Sequence, residues 1–393
     1  MENTMNFKKL MIFASLMWML MNFHHPVNPA FFEELNLPSH VFGTSYAMMG
    51  FFSFLSSPFW GAVGDKYSRK KTLVISTLFY GIAQFLYGFS YNLWQILLLR
   101  AMAGWFTGGI VVGLMAMIVE IDSSDNLSRN MATYSAVLSI FTSIGFLIGG
   151  LLGYLPIRYV FYIQGVGMIL ISILFMLFSE DIPKKSTLEI TSTSYKLMDK
   201  RKLKSIKSPW IIVFLSVTFF IFLAFSSTNN AFNYYLRDEL RFMPIINGAL
   251  KALTGILGLV SNLTINVYLI KHFDLKKALR YSILISIVIS IFIYIGSNNI
   301  LFLLSSLIYF TLNTIQLPIL QSFAVEKNKD NAGLLSGIFN ASKSLGEMLG
   351  ALVAGFIYAY NSRSPFLVSI IALSLSYLIL AGYKFYQKRL GEI

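Results

Sequence analysis

Along this chain long apolar stretches alternate with short polar or charged ones, and the apolar stretches are too long for strands and too uniform for helices that bury one face in a water-soluble core. A bilayer core ~30 Å thick takes roughly 20 apolar residues per helical crossing. Twelve runs meet that length: Leu10–Phe31, Gly43–Val63, Thr72–Phe89, Leu93–Ile121, Met131–Leu155, Tyr159–Phe178, Trp210–Phe232, Ile246–Ile270, Ala278–Gly296, Ile300–Phe323, Ala332–Tyr358 and Ser364–Phe385. The longest crossings absorb their excess by tilting. From Ser179 to Ser208 the pattern lapses into Lys, Ser, Thr, Asp and Glu. The expected fold is all-α integral membrane, with twelve transmembrane helices in two pseudo-symmetric six-helix bundles, residues 1–178 and 209–393, joined by a linker over 179–208.

Two related bundles should show an internal repeat. Ser143-Ile-Gly-Phe-Leu-Ile-Gly-Gly-Leu151 in the fifth run matches Ser344-Leu-Gly-Glu-Met-Leu-Gly-Ala-Leu352 in the eleventh at a constant offset of 201. The alignment pairs Gly145 with Gly346 and Gly149 with Gly350, and Gly150 follows directly. Small residues four apart let helix backbones approach closely in lipid, where association depends on packing. Their recurrence in both halves also suggests a paired contact at the interface between the bundles, one that opens and closes.

Composition agrees: 56% of the 393 residues are hydrophobic and 12% charged, which no soluble domain of this length carries comfortably. The net charge of +13 raises the question of nucleic acid. However, 24 of the 31 basic residues fall in alternate connections or at the two ends, near Lys8, Lys66, Arg129, Lys184–Lys207, Lys271, Lys327 and Lys384. The positive-inside rule then places both termini in the cytoplasm, with anionic lipid rather than nucleic acid as the neighbour. Cysteine is absent, which excludes disulfides and thiol chemistry. The first run is long enough to be a retained helix rather than a cleaved signal. No metal-ligand spacing, phosphate-binding loop or filter-like segment stands out, so no cofactor or metal and no enzymatic activity is expected.

The connection after the second run reads Gly61-Ala-Val-Gly64-Asp65-Lys66-Tyr67-Ser68-Arg69-Lys70-Lys71. A merely positive loop needs neither the carboxylate nor the glycines. The stretch resembles the signature loop of the major facilitator superfamily, Gly-x-x-x-Asp-Arg/Lys-x-Gly-Arg-Arg/Lys, with Gly61, Asp65, Lys66, Arg69 and Lys70 matching and Ser68 in place of a glycine. That resemblance implies alternating access by rocking bundles. It also implies a latch on the cytoplasmic side in which Asp65 and Arg69 engage Glu120 at the end of the fourth run, with Arg129 as a neighbour. Arg100 followed by Gly104, Gly108 and Gly109 is similar to the family's fourth-helix pattern, which implies a coupling role for Arg100. Gly145-Phe146-Leu-Ile-Gly149-Gly150 resembles the drug:proton antiporter motif Gly-Pro-x-x-Gly-Gly without its proline. The connection Lys271-His272-Phe273-Asp274-Leu275-Lys276-Lys277 is basic but lacks the signature spacing.

Charged and polar residues inside the runs are functional candidates by default. Glu347 is the only carboxylate well within one, about 22 Å along its helix, and either carries a proton or contacts substrate, or else pairs locally with Lys343 one turn earlier. Arg100 and Lys251, with Lys343, outnumber it and leave the interior nominally cationic, which points to an anionic or polar group on the substrate or to carbonyl and water partners. His24-His25-Pro26-Val27-Asn28-Pro29 interrupts the first helix; its histidines sense protons or bind substrate, or form a wet helix end near Glu33 and Glu34. Asn229, Asn230, Asn233, Tyr234 and Tyr235 gather on a seventh helix expected to be discontinuous and to line a cavity. The 35 Phe and 17 Met suit an adaptable apolar cavity.

The resemblance implies a monomeric secondary transporter of the cell membrane, with a small-molecule substrate, protons and membrane lipid as partners. Its expected activity is proton-coupled export of lipophilic or amphipathic small molecules. The alternative is a proton-linked importer of a sugar or other polar metabolite.

Overall fold

In lipid the usual arrangement of a helix is inverted, because the outer face meets hydrocarbon while the inner face can hold polar groups that find partners. Helix α7 (Ile157–Phe178) exposes Val166, Leu170, Ile173 and Leu177, whereas Gln164 and Ser172 are buried. Helix α11 (Leu275–Ile295) likewise exposes Leu284, Val288 and Ile295 and buries Ser282, Ser286 and Ser290. The computed structural model describes residues 7–121, 124–179, 209–296, 298–327 and 332–389. The proposed linker thus lies, beyond Ser179, outside the described residues.

The other helices are α1 (Phe7–Met21), α2 (Asn28–Glu34), α3 (His40–Lys66), α4 (Arg69–Tyr87), α5 (Leu93–Ile121), α6 (Ser124–Leu152), α8 (Pro209–Asp238), α9 (Pro244–Ser261), α10 (Val267–His272), α12 (Asn299–Lys327), α13 (Ala332–Tyr358) and α14 (Ser364–Arg389). Among the described residues there is no strand. Among the described residues, eight helices are long and apolar enough on their own to cross a membrane, α9 and α10 counting as one. The other four crossings are α1 with α2, α3, α4 and α13, interrupted or diluted by Gly, Ser, Thr and charged residues. The twelve crossings of the sequence pattern are therefore present.

Of three irregular or notable crossings, the first is interrupted where the sequence places the break, and the other two differ from their expected form. The first is broken into α1 and α2, because Pro26 and Pro29 lack the N–H groups an unbroken helix would use. The eighth contains a π-helical turn, Asn262–Asn266, between α9 and α10. Conversely α8, expected to be discontinuous at its asparagines, is a continuous helix of 30 residues. It contains no interior proline, and Asn230 donates to Ser226 O one turn earlier at 2.9 Å, so its amide supports the helix.

The chain divides into two compact units. The first comprises residues 1–41, 48–193 and 236–256; the second comprises 42–47, 194–235 and 257–393. The repeat recurs in details the sequence offset does not display. Ser68 caps α4 by accepting from the N–H of Lys71 at 3.1 Å, and Asp274 caps α11 by accepting from Lys277 at 2.9 Å. In the first unit Arg158, at the start of α7, donates to Gly88 O and Ser90 O just beyond α4 at 2.8 and 3.1 Å. In the second, Arg363 just before α14 donates to Tyr294 O and Gly296 O at the end of α11 at 3.0 and 2.5 Å. These arginines satisfy carbonyls that a helix end leaves without partners. Arg158→Gln and Arg363→Gln are each expected to cost about 1–3 kcal/mol, read as comparable drops in Tm of the detergent-solubilised protein; no change in either would remove the role.

Candidate functional site

The turn between α3 and α4 holds an ion cluster centred on Arg69. Its Nε donates to Glu120 Oε1 at the end of α5 at 3.0 Å, its Nη2 to Asp65 Oδ1, and its Nη1 to Gly61 O at 3.3 Å. The Arg69 and Glu120 side chains are only 11% and 12% exposed, so each depends on the other for its charge. Gly64 makes the cluster possible, since a Cβ there would stand 2.9 Å from Arg69 Nη1, whereas one at Gly61 would meet only Val112 at 3.7 Å. Lys66 lies over the Tyr67 ring at 5.3 Å, and Lys70 Nζ donates to Ser179 O at the end of α7. Arg129 is exposed on α6, and the structure shows no ion pair for it among the described residues.

A second polar group forms where the first crossing breaks. Carbonyls freed there receive donors from other helices of the same unit: Met21 O from Gln164 Nε2 at 3.3 Å and from the Tyr80 hydroxyl at 3.5 Å, and Pro26 O from Asn247 Nδ2 at 3.3 Å. Sequence reasoning passed over Gln164, Tyr80 and Asn247. For Gln164 the signal was an amide well inside an apolar run, which has to find a partner in lipid; Tyr80, and Asn247 at the start of its run, carried no such signal. His24 and His25 stack with ring centroids 4.2 Å apart; His24 Nδ1 meets Gln164 Nε2 at 3.1 Å, and His25 lies edge-on to Phe146. Lys251 on α9 lies over the same Phe146 ring, with Nζ 5.3 Å from its centroid. Arg100 on α5 donates from Nη2 to Asn28 Oδ1 at 2.8 Å and lies over the Tyr87 ring at 4.2 Å. The structure thus brings together His24, His25, Arg100 and Lys251, which the sequence could offer only as separate candidates. Glu33 and Glu34, at the end of α2, pair instead with Arg237 (2.5 Å) and Arg241 (3.3 Å), and with Arg158 (2.8 Å).

In the second unit Glu347 and Lys343 face each other at 3.6 Å, each side chain about a third exposed. Ser226 on α8 donates to Glu347 O at 2.6 Å. Tyr234 is stacked on Phe42 and edge-on to Tyr358, while Asn229 and Asn233 are half-buried. An open apolar groove of about 360 Å³ lies between α8 and α13, bounded by Leu215, Phe219, Phe220, Ile338, Ala341 and Leu345.

Gly145 packs on Met19 of α1, and Gly149 on Phe23 just beyond the end of α1. Gly346 and Gly350 pack in the same way on Phe219 and Leu223 of α8. Residues four apart share one helix face, and that face is turned to the neighbouring helix within the repeat. Gly150, about 100° further round α6, meets Pro244 and Gly248 of α9 instead.

The motif loop, its ion cluster and the twofold repeat now stand together, and the family model of the Major Facilitator Superfamily matches residues 10–348. The chain belongs to the major facilitator superfamily. It is 23% identical over 345 residues to the quinolone resistance protein NorA of Staphylococcus aureus (strain MSSA476), covering 88% of each. It is 26% identical over 374 residues to the multidrug resistance protein MdtG of Proteus mirabilis (strain HI4320), covering 90% of this chain and 89% of the relative. Among solved structures, a mutant form of the nucleoside transporter NupG superposes with a TM-score of 0.80 at 18% identity, covering 96% of this chain and 99% of the other. That last likeness concerns the fold. As a member of this transporter family, the chain is a multi-pass membrane protein with a small-molecule substrate, and not an enzyme.

Proposed function

We propose that this superfamily member is a proton-coupled exporter of lipophilic or amphipathic small molecules in the cell membrane, working as a monomer by alternating access with both termini cytoplasmic. The observation that carries the cargo class is the likeness, over nearly nine-tenths of the chain, to two relatives named for drug resistance. In this reading the α3–α4 turn faces the cytoplasm, and the Asp65–Arg69–Glu120 cluster is the latch that holds that side closed and is remade in each cycle. Lys66 and Lys70 anchor the turn to lipid and to the end of α7, and Arg129 adds to the positive cytoplasmic face. Glu347 carries the proton. One third exposed, it faces Lys343 one turn earlier at 3.6 Å, the cation nearest to it on its own helix. Asn229, Asn230, Asn233 and Tyr234 line the path on α8, and the groove between α8 and α13 adds an apolar surface to that unit.

The test uses proteoliposomes with an imposed pH gradient and a panel of lipophilic dyes. The native chain is expected to move dye under the driving force of the gradient, and Glu347→Gln to lower that movement at least tenfold while dye still binds. Equal movement by the variant removes Glu347 from coupling. A second reading, proton-linked import of a sugar or other polar metabolite, is favoured by the buried polar group around His24, Gln164, Asn247 and Arg100. It gains if folded native protein moves no dye and instead accumulates such a solute.

A further inference from the structure

The polar interior of the first unit has an unbalanced charge. Arg100 is 2% exposed, and among the described residues the neighbours its guanidinium touches are neutral: Asn28 Oδ1, the Met49 sulfur at 3.8 Å and the Tyr87 ring. Its Nε is buried and has no hydrogen-bond partner among the described residues. The other titratable groups that act on this region, His24, His25 and Lys251, are cationic or neutral. The carboxylates at the ends of these helices are already held elsewhere, Glu33 by Arg237 and Arg241, Glu34 by Arg158, and Asp65 and Glu120 by Arg69.

Histidine and lysine can shed a proton to escape such a setting, but a guanidinium cannot. One positive charge is therefore fixed inside the membrane, and a buried ion that meets only neutral groups is costly. An anion arriving with the cargo removes that cost, and the binding free energy gains what the empty site lacks.

We propose that the cargo is an amphiphile with an anionic head, a carboxylate or similar oxyanion, which docks on Arg100 with Lys251 and the His24–His25 pair around it. The unpartnered Nε and the neighbouring Nη2 form the two-toothed edge from which a carboxylate accepts side by side. Asn28 holds Nη2 until the head arrives. Phe146, touched by both His25 and Lys251, supplies an aromatic wall for the adjoining apolar part. This inference rests on the transporter reading above and selects, within its lipophilic cargoes, those of negative charge.

A matched pair of probes tests it: pyrenebutyrate, and a pyrenebutyl chain ending in trimethylammonium. Each is measured for movement in proteoliposomes and, separately, for the Tm shift it gives the purified protein. Wild type is expected to bind and move the anion at least tenfold better than the cation. Arg100→Gln should lose that preference and Arg100→Lys should keep part of it. Anion binding without movement of either probe supports the site and removes the export reading. Cation movement as good as the anion's keeps the export reading and overturns the site, as does undiminished anion binding in a monodisperse Arg100→Gln. If neither probe binds or moves, both fall. Should Arg100→Gln not yield folded protein, the wild-type preference alone decides.

Discussion

Asp65→Asn is expected to lower turnover by an order of magnitude or more while substrate affinity stays within about twofold, if the cluster is the proposed latch, which stabilises a conformation and holds no cargo. The substitution keeps shape and polarity but removes the charge, leaving Arg69 with Glu120 alone. A hydrogen bond to a charged group contributes about 1.5–3 kcal/mol when shielded. The Asp65 side chain is 36% exposed, which lowers that to about 1–2 kcal/mol. Since 1.4 kcal/mol is a factor of ten, a latch weakened by this much stays closed roughly a tenth as long relative to its competing state. Arg69→Gln should be worse than Asp65→Asn, because it leaves two carboxylates facing each other with no cation between them. Turnover in proteoliposomes and equilibrium binding in detergent separate the two effects. Unchanged turnover of the Asp65→Asn protein would sink the latch, and a parallel loss of binding would make the cluster merely structural.

The same loop shows why a motif is a partial guide to geometry. The resemblance of the loop to the family signature implied that Asp65 and Arg69 engage Glu120, and the three side chains meet. It also named Gly61, with Arg129 as a neighbour, yet the close approach is made at Gly64, and Arg129 is exposed. The corresponding connection in the second unit shows the opposite failure. The two caps, Ser68 and Asp274, align the loops and place Lys271 where Asp65 stands and Leu275 where Arg69 stands. The cap survives without the ion cluster, a distinction invisible until the hydrogen bonds are seen. Twelve crossings were legible because apolar length is a one-dimensional property. Which polar residues meet is not, since His24, Arg100, Gln164 and Lys251 are far apart in the chain and converge only through packing of α1, α5, α7 and α9. The break in the first crossing was announced by Pro26 and Pro29; the π-helical turn at Asn262–Asn266 had no proline to announce it.

Gly149→Ala and Gly337→Ala are expected to change stability in opposite directions, although both replace a glycine within an apolar helical run. At Gly149 an added methyl would stand 2.6 Å from Phe23 Cα and 2.7 Å from its carbonyl carbon, atoms of the backbone that cannot turn aside. Helices α1 and α6 then have to separate, at a cost of about 1–3 kcal/mol for overpacking, and the displaced segment is the broken stretch that carries His24 and His25. Gly350→Ala should behave similarly, since its methyl would meet Leu223 of α8 at 3.1 Å. At Gly337 nothing lies within 4 Å, so the substitution meets no obstacle and gains roughly 0.5–1 kcal/mol from alanine's smaller loss of backbone freedom in a helix. Thermal unfolding midpoints of the three variants in one detergent measure this directly: down, down and slightly up. A rise at Gly149 or Gly350 would mean that α6 and α13 do not lie against α1 and α8 as described, and with that the structural equivalence of the two repeats would fail.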